Sequence, residues 1–98
     1  MMIEIRLRLE AHQDLEQAAQ WYELQRQGLG HDFLDGVSAT LDSILENPDA
    51  YPMVHRSTRR ALISKFPFGI FYRVEGDVAV VIAVMHGSRH PRRWQARD

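Results

Sequence analysis

Residues 68–85 have the sequence FGIFYRVEGDVAVVIAVM, in which two apolar segments flank the pair Gly76-Asp77. Glycine readily supplies the positive φ that two-residue hairpin turns of the primed types require, and both segments are rich in β-branched and aromatic residues. The stretch therefore predicts a β-hairpin with strands over 68–75 and 78–85. The second strand is almost continuously apolar, which is typical of a central strand buried on both faces.

The first strand of this hairpin has two different faces, because Ile70 and Tyr72 alternate with a second row that includes Arg73. Successive side chains of a strand point to opposite faces of the sheet. One row is therefore expected on the core, and the row with Arg73 is expected to meet solvent or a ligand. Upstream of the hairpin, residues 59–66 predict another strand and residues 53–56 a short one.

The N-terminal half changes from a strand period to a helical one. Residues 3–9 alternate apolar with charged side chains, as an edge strand does. From about Ala11 to Gly28 the apolar residues recur at helical spacing, and a second helical pattern ends at Asn47 because Pro48 disfavours helical geometry before it. The short link predicts antiparallel helices. The whole order predicts an α+β fold: an N-terminal strand, an antiparallel helical hairpin, then a three- to four-stranded antiparallel sheet.

Length and composition indicate one ordinary globular domain. Residues 1–98 are expected to form a single unit with a basic C-terminal tail over about 90–98. The chain has no cysteine, which excludes disulfides and thiolate metal sites. Its longest apolar run, Val78–Met85, is too short to cross a bilayer, and the N-terminus lacks a signal-peptide pattern. We therefore expect a cytoplasmic protein with no membrane association, no metal and no cofactor.

Charge is strongly polarised along the chain, although the net charge is only −1. Residues 1–49 hold ten Asp or Glu and three Arg, which gives −7, whereas residues 50–98 hold nine Lys or Arg and three acids, which gives +6 with histidine neutral. Such asymmetry indicates association with charged partners and carries no information on the fold. Nucleic acid, an acidic protein and a nucleoprotein complex are all compatible with it.

The basic residues of the second half are candidates for a binding surface. Arg59 and Arg60 begin a predicted strand, where they either protect a sheet edge or anchor an acidic partner or nucleic acid. Arg92, Arg93 and Trp94 have the composition of a base-stacking and phosphate-contact cluster, and they also fit a disordered basic terminus. Neither pair of alternatives can be decided from the residues alone.

Short motifs follow one another in a fixed order along nearly the whole chain. They are Asp14-Leu15, Ala18, Trp21-Tyr22, Gly28-Leu29-Gly30, Phe33, Asn47-Pro48, Tyr51-Pro52, Arg59-Arg60, Phe66-Pro67-Phe68, Ile70-Phe71-Tyr72-Arg73-Val74, Val84, His86, Arg89 and Pro91. This set resembles the RelE/ParE superfamily of bacterial toxins from type II toxin-antitoxin modules, such as those that act in plasmid stabilization. The resemblance implies a growth-arresting toxin that is neutralised by a cognate antitoxin in a hetero-oligomer.

The resemblance also implies two alternative targets, which are DNA gyrase and the ribosome with its mRNA. A member that cleaves mRNA needs a base, an acid and a cation near the reacting phosphate. The candidates here are His86 and Tyr72 for proton transfer and Lys65, Arg73 and Arg89 as cations. Cleaving members commonly have arginine at the position that matches Gly69, so this departure favours the ParE-like branch, which binds gyrase without catalysis. A non-toxic interaction module with the same fold is a third alternative.

Four of the five catalytic candidates have a structural interpretation as well. Tyr72 fits a core aromatic of a strand, and Lys65 and Arg73 fit solvated or paired charges on a sheet face. His86 directly follows a buried strand, and a functional and a structural role fit it equally. No carboxylate or thiolate pattern accompanies the histidines, so a metal site is not expected.

An antitoxin helix or extended tail is expected to lie across the helical hairpin and the open sheet face. The predicted contacts with the antitoxin or the target are Arg59, Arg60, Arg73, Arg89, Arg92, Arg93 and Trp94. We expect the bound segment to be net acidic where it meets Arg59, Arg60 and Arg73. The sequence therefore predicts a cationic concavity, floored by strands and backed by the helices, as the binding site.

Overall fold

Eight elements follow one another in the computed structural model, which describes residues 3–98. They are β1 (Glu4–Leu7), α1 (Leu9–Gln25), α2 (Leu29–Glu46), β2 (Met53–His55), β3 (Thr58–Leu62), β4 (Phe68–Glu75), β5 (Val78–His86) and α3 (Arg92–Gln95). The strands form one sheet in the order β1-β5-β4-β3-β2, in which β1 is parallel to β5 and all other neighbours are antiparallel. The predicted α+β fold is confirmed, with the N-terminal strand at a sheet edge.

The β4–β5 hairpin forms as its sequence predicts. Glu75 pairs with Val78, and Gly76 between them has a φ of +63°. β5 lies between β1 and β4, and its residues 81–84 are at most 2 % exposed, which confirms a central strand. One irregularity was not predicted: the register shifts between Phe71 and Tyr72, so that Ile82 is an extra residue and forms a β-bulge in β5.

The two long helices are joined by a short link that a carboxylate stabilises. Gly28 has a φ of +89° and separates α1 from α2 where the spacing predicts the break. The Glu23 carboxylate accepts hydrogen bonds from the amides of Gly28 and Gly30, at 3.0 Å in each case. A Cβ at Gly30 would lie 2.5 Å from the Ala19 carbonyl oxygen, so the close approach of the helices requires glycine there.

The helices cover one face of the sheet with an aromatic core. Tyr22 of α1 and Phe33 of α2 stack with a centroid distance of 5.3 Å. Phe66 and Phe68 lie 5.0 Å and 5.9 Å from Tyr22 by the same measure. These contacts and the burial of the β4 residue Ile70 show that the apolar rows of α1, α2 and β4 face one common core.

β3 is shorter than its sequence predicts, because it ends at Leu62 and not at Phe66. Lys65 adopts a φ of +71° in the turn that follows, and the Phe66 amide bonds the Ile63 carbonyl. Pro67 has no amide hydrogen to donate to a ladder, which limits how far a strand can extend towards it. Ile63 is nevertheless buried, which explains its apolar character outside the strand.

The C-terminal residues pack on the sheet face opposite the two long helices. Trp94 of α3 is 7 % exposed, and its ring stacks on Phe71 with a centroid distance of 4.4 Å and an interplanar angle of 18°. Ile82 and Met85 complete this second apolar cluster. The interpretation of 90–98 as a disordered terminus is therefore wrong, because docking this segment buries a large aromatic ring. None of the helices that residues 3–98 form could span a bilayer.

Candidate functional site

A cleft of about 610 Å³ opens between α1, the end of β5 and the C-terminal segment. Gln17 and Trp21 of α1 line one wall, and Arg89 and Arg93 line the other. The floor is the end of β5, from Val84 to His86. Trp21 is 57 % exposed, which is unusual for so large an apolar side chain on a helix beside the core. The cleft therefore combines an open aromatic wall with a cationic one.

The cations of this cleft differ in whether they have partners. Arg89 and Arg93 are exposed, and within residues 3–98 no carboxylate lies in ion-pair distance of either. Arg97 also lines the cleft, but it forms a two-pronged pair with Asp14 at 2.6 Å and 3.2 Å. The net charge of the walls is thus set by Arg89 and Arg93, and their side chains are available to an anionic group.

The Asp14–Arg97 pair also satisfies backbone groups of β5. Asp14 Oδ2 accepts the Val84 amide at 3.0 Å, and Arg97 Nη1 donates to the Ile82 carbonyl at 3.2 Å. β1 pairs with β5 only as far as Val81, so these side chains occupy the position that a neighbouring strand would have beyond it. The pair therefore closes the edge of the sheet and attaches the C-terminal segment to α1.

His86 has an orientation that its hydrogen bonds define. Its Nδ1 accepts the Ser88 amide at 2.9 Å, and its ring lies edge-on to Phe68 at 5.3 Å between centroids. A neutral imidazole whose Nδ1 accepts must carry its proton on Nε2. Because His86 lines the cleft, this nitrogen is a donor for a bound group.

Tyr72 lies in the core, away from the cleft. It is fully buried, and its hydroxyl donates to the Pro48 carbonyl at 2.6 Å. Burial raises the pKa of this phenol to about 12, an effect that the nearby charge of Arg59 only partly opposes. The hydroxyl fixes the loop after α2, and this placement favours the structural interpretation of Tyr72.

Arg59 and Arg73 were expected to contact an acidic partner, but both bond carbonyl or carboxylate groups of the chain itself. Arg59 Nη1 donates to the carbonyls of Tyr51 and Asp49, at 2.6 Å and 3.1 Å, and its side chain is 16 % exposed. Arg73 forms ion pairs with Asp98 at 3.0 Å and Glu75 at 3.1 Å. An acidic segment could bind these guanidinium groups only by displacing such contacts, so the structure does not place them at an open site.

Asp98 holds the end of the described chain against the sheet. Burial of its carboxyl raises its pKa, but the Arg73 guanidinium outweighs burial, so the pKa lies below its ordinary value. The Thr58 hydroxyl has no hydrogen-bond partner of ordinary geometry among residues 3–98, so the Arg73 ion pair at 3.0 Å is the contact that accounts for the lowered pKa. Asp98 is therefore ionised at neutral pH and contributes a second anchor, besides Trp94, for the C-terminal segment.

The remaining predicted residues lie at separate places. Arg60 is exposed, and its stem crosses Gly69, where a Cβ would lie 3.1 Å from Arg60 Cγ. Lys65 lines a different hollow, between the start of α2 and the turn before β4. Arg92 is exposed and does not line the cleft. Trp94 is buried against Phe71, so its ring does not form an open stacking surface.

The structure thus brings together His86, Arg89 and Arg93 of the predicted residues. Sequence reasoning missed Asp14 and Arg97 as a pair that shapes the site. It also did not assign a site role to Trp21. This residue flanks the apolar stripe of α1, so its side chain lies at the edge of the buried helix face and is exposed. For Arg97 the sequence offers no signal, because its partner lies 83 residues away.

Comparisons with known proteins agree with this architecture. A family described as the ParE toxin of the type II toxin-antitoxin system, parDE, matches residues 5–91. A solved structure described as a chromosomal ParDE TA system from P. aeruginosa has a TM-score of 0.67 and 18 % identity over 87 % of this chain and 96 % of that one. At this identity the likeness shows the fold alone. A search of curated proteins gave no significant match. Because the family match covers most of the described residues, the chain belongs to the ParE toxin family of type II toxin-antitoxin systems.

Proposed function

We propose that this ParE-family toxin acts by binding its target, DNA gyrase, and not by catalysis of its own. The observation that carries the proposal is the dispersal of the candidate catalytic groups. Tyr72 is buried in the core, Arg73 is paired with Asp98, and Lys65 lines another hollow. A ribonuclease would require its base, acid and cation to converge on one phosphate.

The space above Gly69 supports the same choice. Arginine at this position is common in cleaving relatives, but here the stem of Arg60 lies where such a side chain would start. Arg60 belongs to the neighbouring strand β3, so a cation at this point would come from β3 and not from β4. Position 69 of β4 supplies no cation of its own.

The cleft is the proposed binding site of the antitoxin. Arg89 and Arg93 have no carboxylate of residues 3–98 in ion-pair distance, and Trp21 offers an apolar surface opposite them. An antitoxin segment with acidic residues for the arginines and an apolar residue for the tryptophan would complement both walls. The acidic contact is thus proposed at Arg89 and Arg93, in place of Arg59 and Arg73. A cytoplasmic hetero-oligomer of toxin and antitoxin is the state that this proposal implies.

A supercoiling assay tests the target. Purified toxin is expected to inhibit DNA gyrase, and addition of the antitoxin from the adjacent reading frame is expected to relieve the inhibition. His86→Ala is expected to leave growth arrest in place, because no proton transfer is required.

The alternative function, mRNA cleavage, also has a structural basis, because His86 and Arg89 line the same cleft. Unchanged gyrase activity at excess toxin would contradict the proposal. If translated mRNA then showed discrete cleavages that His86→Ala slowed by about a hundredfold or more, the usual size of an acid-base contribution, the toxin would be a ribosome-dependent ribonuclease.

A further inference from the structure

Charge divides between the two long helices and the rest of the fold. The helices α1 and α2, which cover one face of the sheet, contain eight Asp or Glu and no Lys or Arg. The segment from β2 to α3 contains eight Lys or Arg and only two acids, Glu75 and Asp77. Its helix α3 packs on the opposite face of the sheet through Trp94. A large anionic partner is therefore repelled from the helix side of the molecule and attracted to the side of α3.

Three arginines of the basic segment have no partner in the chain and no place in the cleft. They are Arg56, Arg60 and Arg92, which are exposed and do not line the cleft. No carboxylate of residues 3–98 lies in ion-pair distance of them. Their charges are therefore not neutralised within this part of the chain, and an anion can bind them without displacing an internal contact.

Arg60 lies on the same face of the sheet as α3. It pairs with Phe71 across β3 and β4, and residues that pair across strands direct their side chains to the same face. The Phe71 ring in turn stacks on Trp94 of α3, with 4.4 Å between the ring centroids. The stem of Arg60 crosses Gly69, where a Cβ would lie only 3.1 Å from Arg60 Cγ. Arg60 and α3 are thus neighbours on the face that the long helices leave open.

Arg92 and Arg56 border the same face. Arg92 precedes Trp94 by two residues, about 200° around the helix axis, so it faces solvent while Trp94 faces the sheet. The His55 ring lies 6.0 Å from the Trp94 ring between centroids. This contact places the turn between β2 and β3, which contains Arg56, beside the C-terminal segment. We call the surface bounded by Arg56, Arg60 and Arg92 the outer basic face.

The buried aromatic rings of this face favour a duplex over a single strand as the ligand. Phe71 and Trp94 are 5 % and 7 % exposed and stack on each other, so neither ring is open to a base. Proteins that bind single-stranded nucleic acid combine cations with exposed rings on which the bases stack. Arginines without such rings fit a duplex, whose bases are already stacked and whose phosphates lie on the outside.

We propose that the outer basic face binds the phosphate backbone of duplex DNA without reading its sequence. The inference rests on the proposed function in one respect: gyrase acts on DNA, so the duplex that a gyrase-bound toxin meets is DNA and not RNA. Contacts with this DNA, added to contacts with the enzyme, hold the toxin on the complex of gyrase and DNA. The acidic helices point away from the duplex in this arrangement.

Fluorescence anisotropy of the purified toxin with a short labelled DNA duplex tests the proposal. Binding is expected with a Kd on the order of 10 μM at low salt, in the range of non-specific contacts with phosphates. Three phosphate contacts give a log–log salt slope of about −2.7, so the affinity should fall about fortyfold between about 50 and 200 mM salt. Single-stranded DNA and duplex RNA of the same sequence are expected to bind no more tightly than the DNA duplex.

Single substitutions locate the contact. Arg60→Gln and Arg92→Gln should each remove one phosphate contact and reduce the fall in affinity over the same salt range to about twelvefold. Glutamine keeps Cγ and Cδ, the two Arg60 atoms that pack over Gly69, so this substitution retains the packing of the stem. Arg26→Gln is the matched control, because it removes an equal charge from the exposed link between the long helices. It should keep the fortyfold fall.

The outcomes distinguish this inference from the function on which it rests. If the toxin inhibits gyrase but does not bind the DNA duplex at low salt, the inference is wrong while the proposed function stands. Tighter binding to single-stranded DNA or to duplex RNA would also overturn it. Arg60→Gln and Arg92→Gln variants with the same salt dependence as Arg26→Gln would place the contact elsewhere and refute the outer basic face. DNA binding by a toxin that leaves gyrase active would support this face and contradict the proposed target.

Discussion

Two groups of arginines in the second half of the chain have the same charge but different surroundings. The paired group consists of Arg59, Arg73 and Arg97, whose guanidinium groups bond carboxylates or carbonyls of the chain itself. The unpaired group consists of the two arginines that line the cleft with no carboxylate of residues 3–98 in reach, Arg89 and Arg93. Arg56, Arg60 and Arg92 are exposed and without an ion pair in the same part of the chain, but they lie outside the cleft. The difference teaches that a count of basic residues does not locate a binding surface, because paired arginines stabilise the fold and unpaired ones are available to a partner.

The largest expected effect comes from the residue that holds the unpaired group in place. Trp94→Ala should lower the free energy of unfolding by about 3 kcal/mol, at the low end for a buried aromatic, since only one face of the sheet is affected. Arg93 precedes Trp94 in α3, so antitoxin affinity should fall as well. Urea denaturation and calorimetry measure the two quantities.

Arg92→Ala is the matched control for this variant, because Arg92 lies in the same short helix and is exposed. It should change the unfolding free energy by less than about 0.5 kcal/mol. If Trp94→Ala changed the unfolding free energy as little as the control does, the docking of α3 on the sheet would be refuted. Arg93 would then not be held in the cleft by the packing of Trp94.

The next largest effect concerns Arg97, a member of the paired group. Arg97→Gln should cost about 2 kcal/mol of unfolding free energy, because it removes the charged partner of the half-buried Asp14 carboxylate and the donor of the Ile82 carbonyl. Thermal denaturation at neutral pH measures this loss. A stability equal to that of the wild type would show that the Asp14–Arg97 pair does not close the sheet edge.

The smallest effect concerns Tyr72, which lies near Arg59 of the paired group. Tyr72→Phe should cost about 1 kcal/mol, the usual contribution of one hydrogen bond, and should leave growth arrest unchanged. Loss of toxicity in a stably folded Tyr72→Phe variant would instead support the catalytic interpretation of this phenol.

The pH dependence of stability gives an independent check on Tyr72. Its folded pKa of about 12 lies above the ordinary value of 10.0, so its stabilising contribution is complete below pH 10 and is lost as the pH rises towards 12. Alkaline unfolding of the wild type should therefore steepen over this interval. The Tyr72→Phe variant should lack that component, and an identical profile in both proteins would show that the hydroxyl is not buried.

Fold and site differ in how far the sequence predicts them. The β4–β5 hairpin follows from local features, namely Gly76-Asp77 and the apolar segments beside it, and the break at Gly28 follows from helical spacing. Periodicity also places Tyr72 on the core face of β4. These features depend on neighbours along the chain, which the sequence displays directly.

The pairing of charges depends instead on neighbours in space. Asp14 and Arg97 are 83 residues apart, and Arg59 reaches the carbonyls of a loop whose path the sequence does not give. Trp94 is a single aromatic residue with no periodic context, so its burial between α3 and the sheet could not be predicted. His86 is predicted as a candidate because it follows a buried strand, Arg89 because of the family resemblance, and Arg93 because of the basic and aromatic residues beside it. The structure places the three together in the cleft.

The central claim is that the unpaired arginines bind the antitoxin and the paired ones do not. Isothermal calorimetry with the antitoxin from the adjacent reading frame, on the folded variants Arg89→Gln/Arg93→Gln and Arg59→Gln/Arg73→Gln, tests it directly because each variant removes two positive charges. We expect the first to bind about a hundredfold more weakly, from two lost charge-assisted hydrogen bonds, and the second to bind within about threefold of the wild type. The reverse order, with the second variant losing the affinity, would contradict the account.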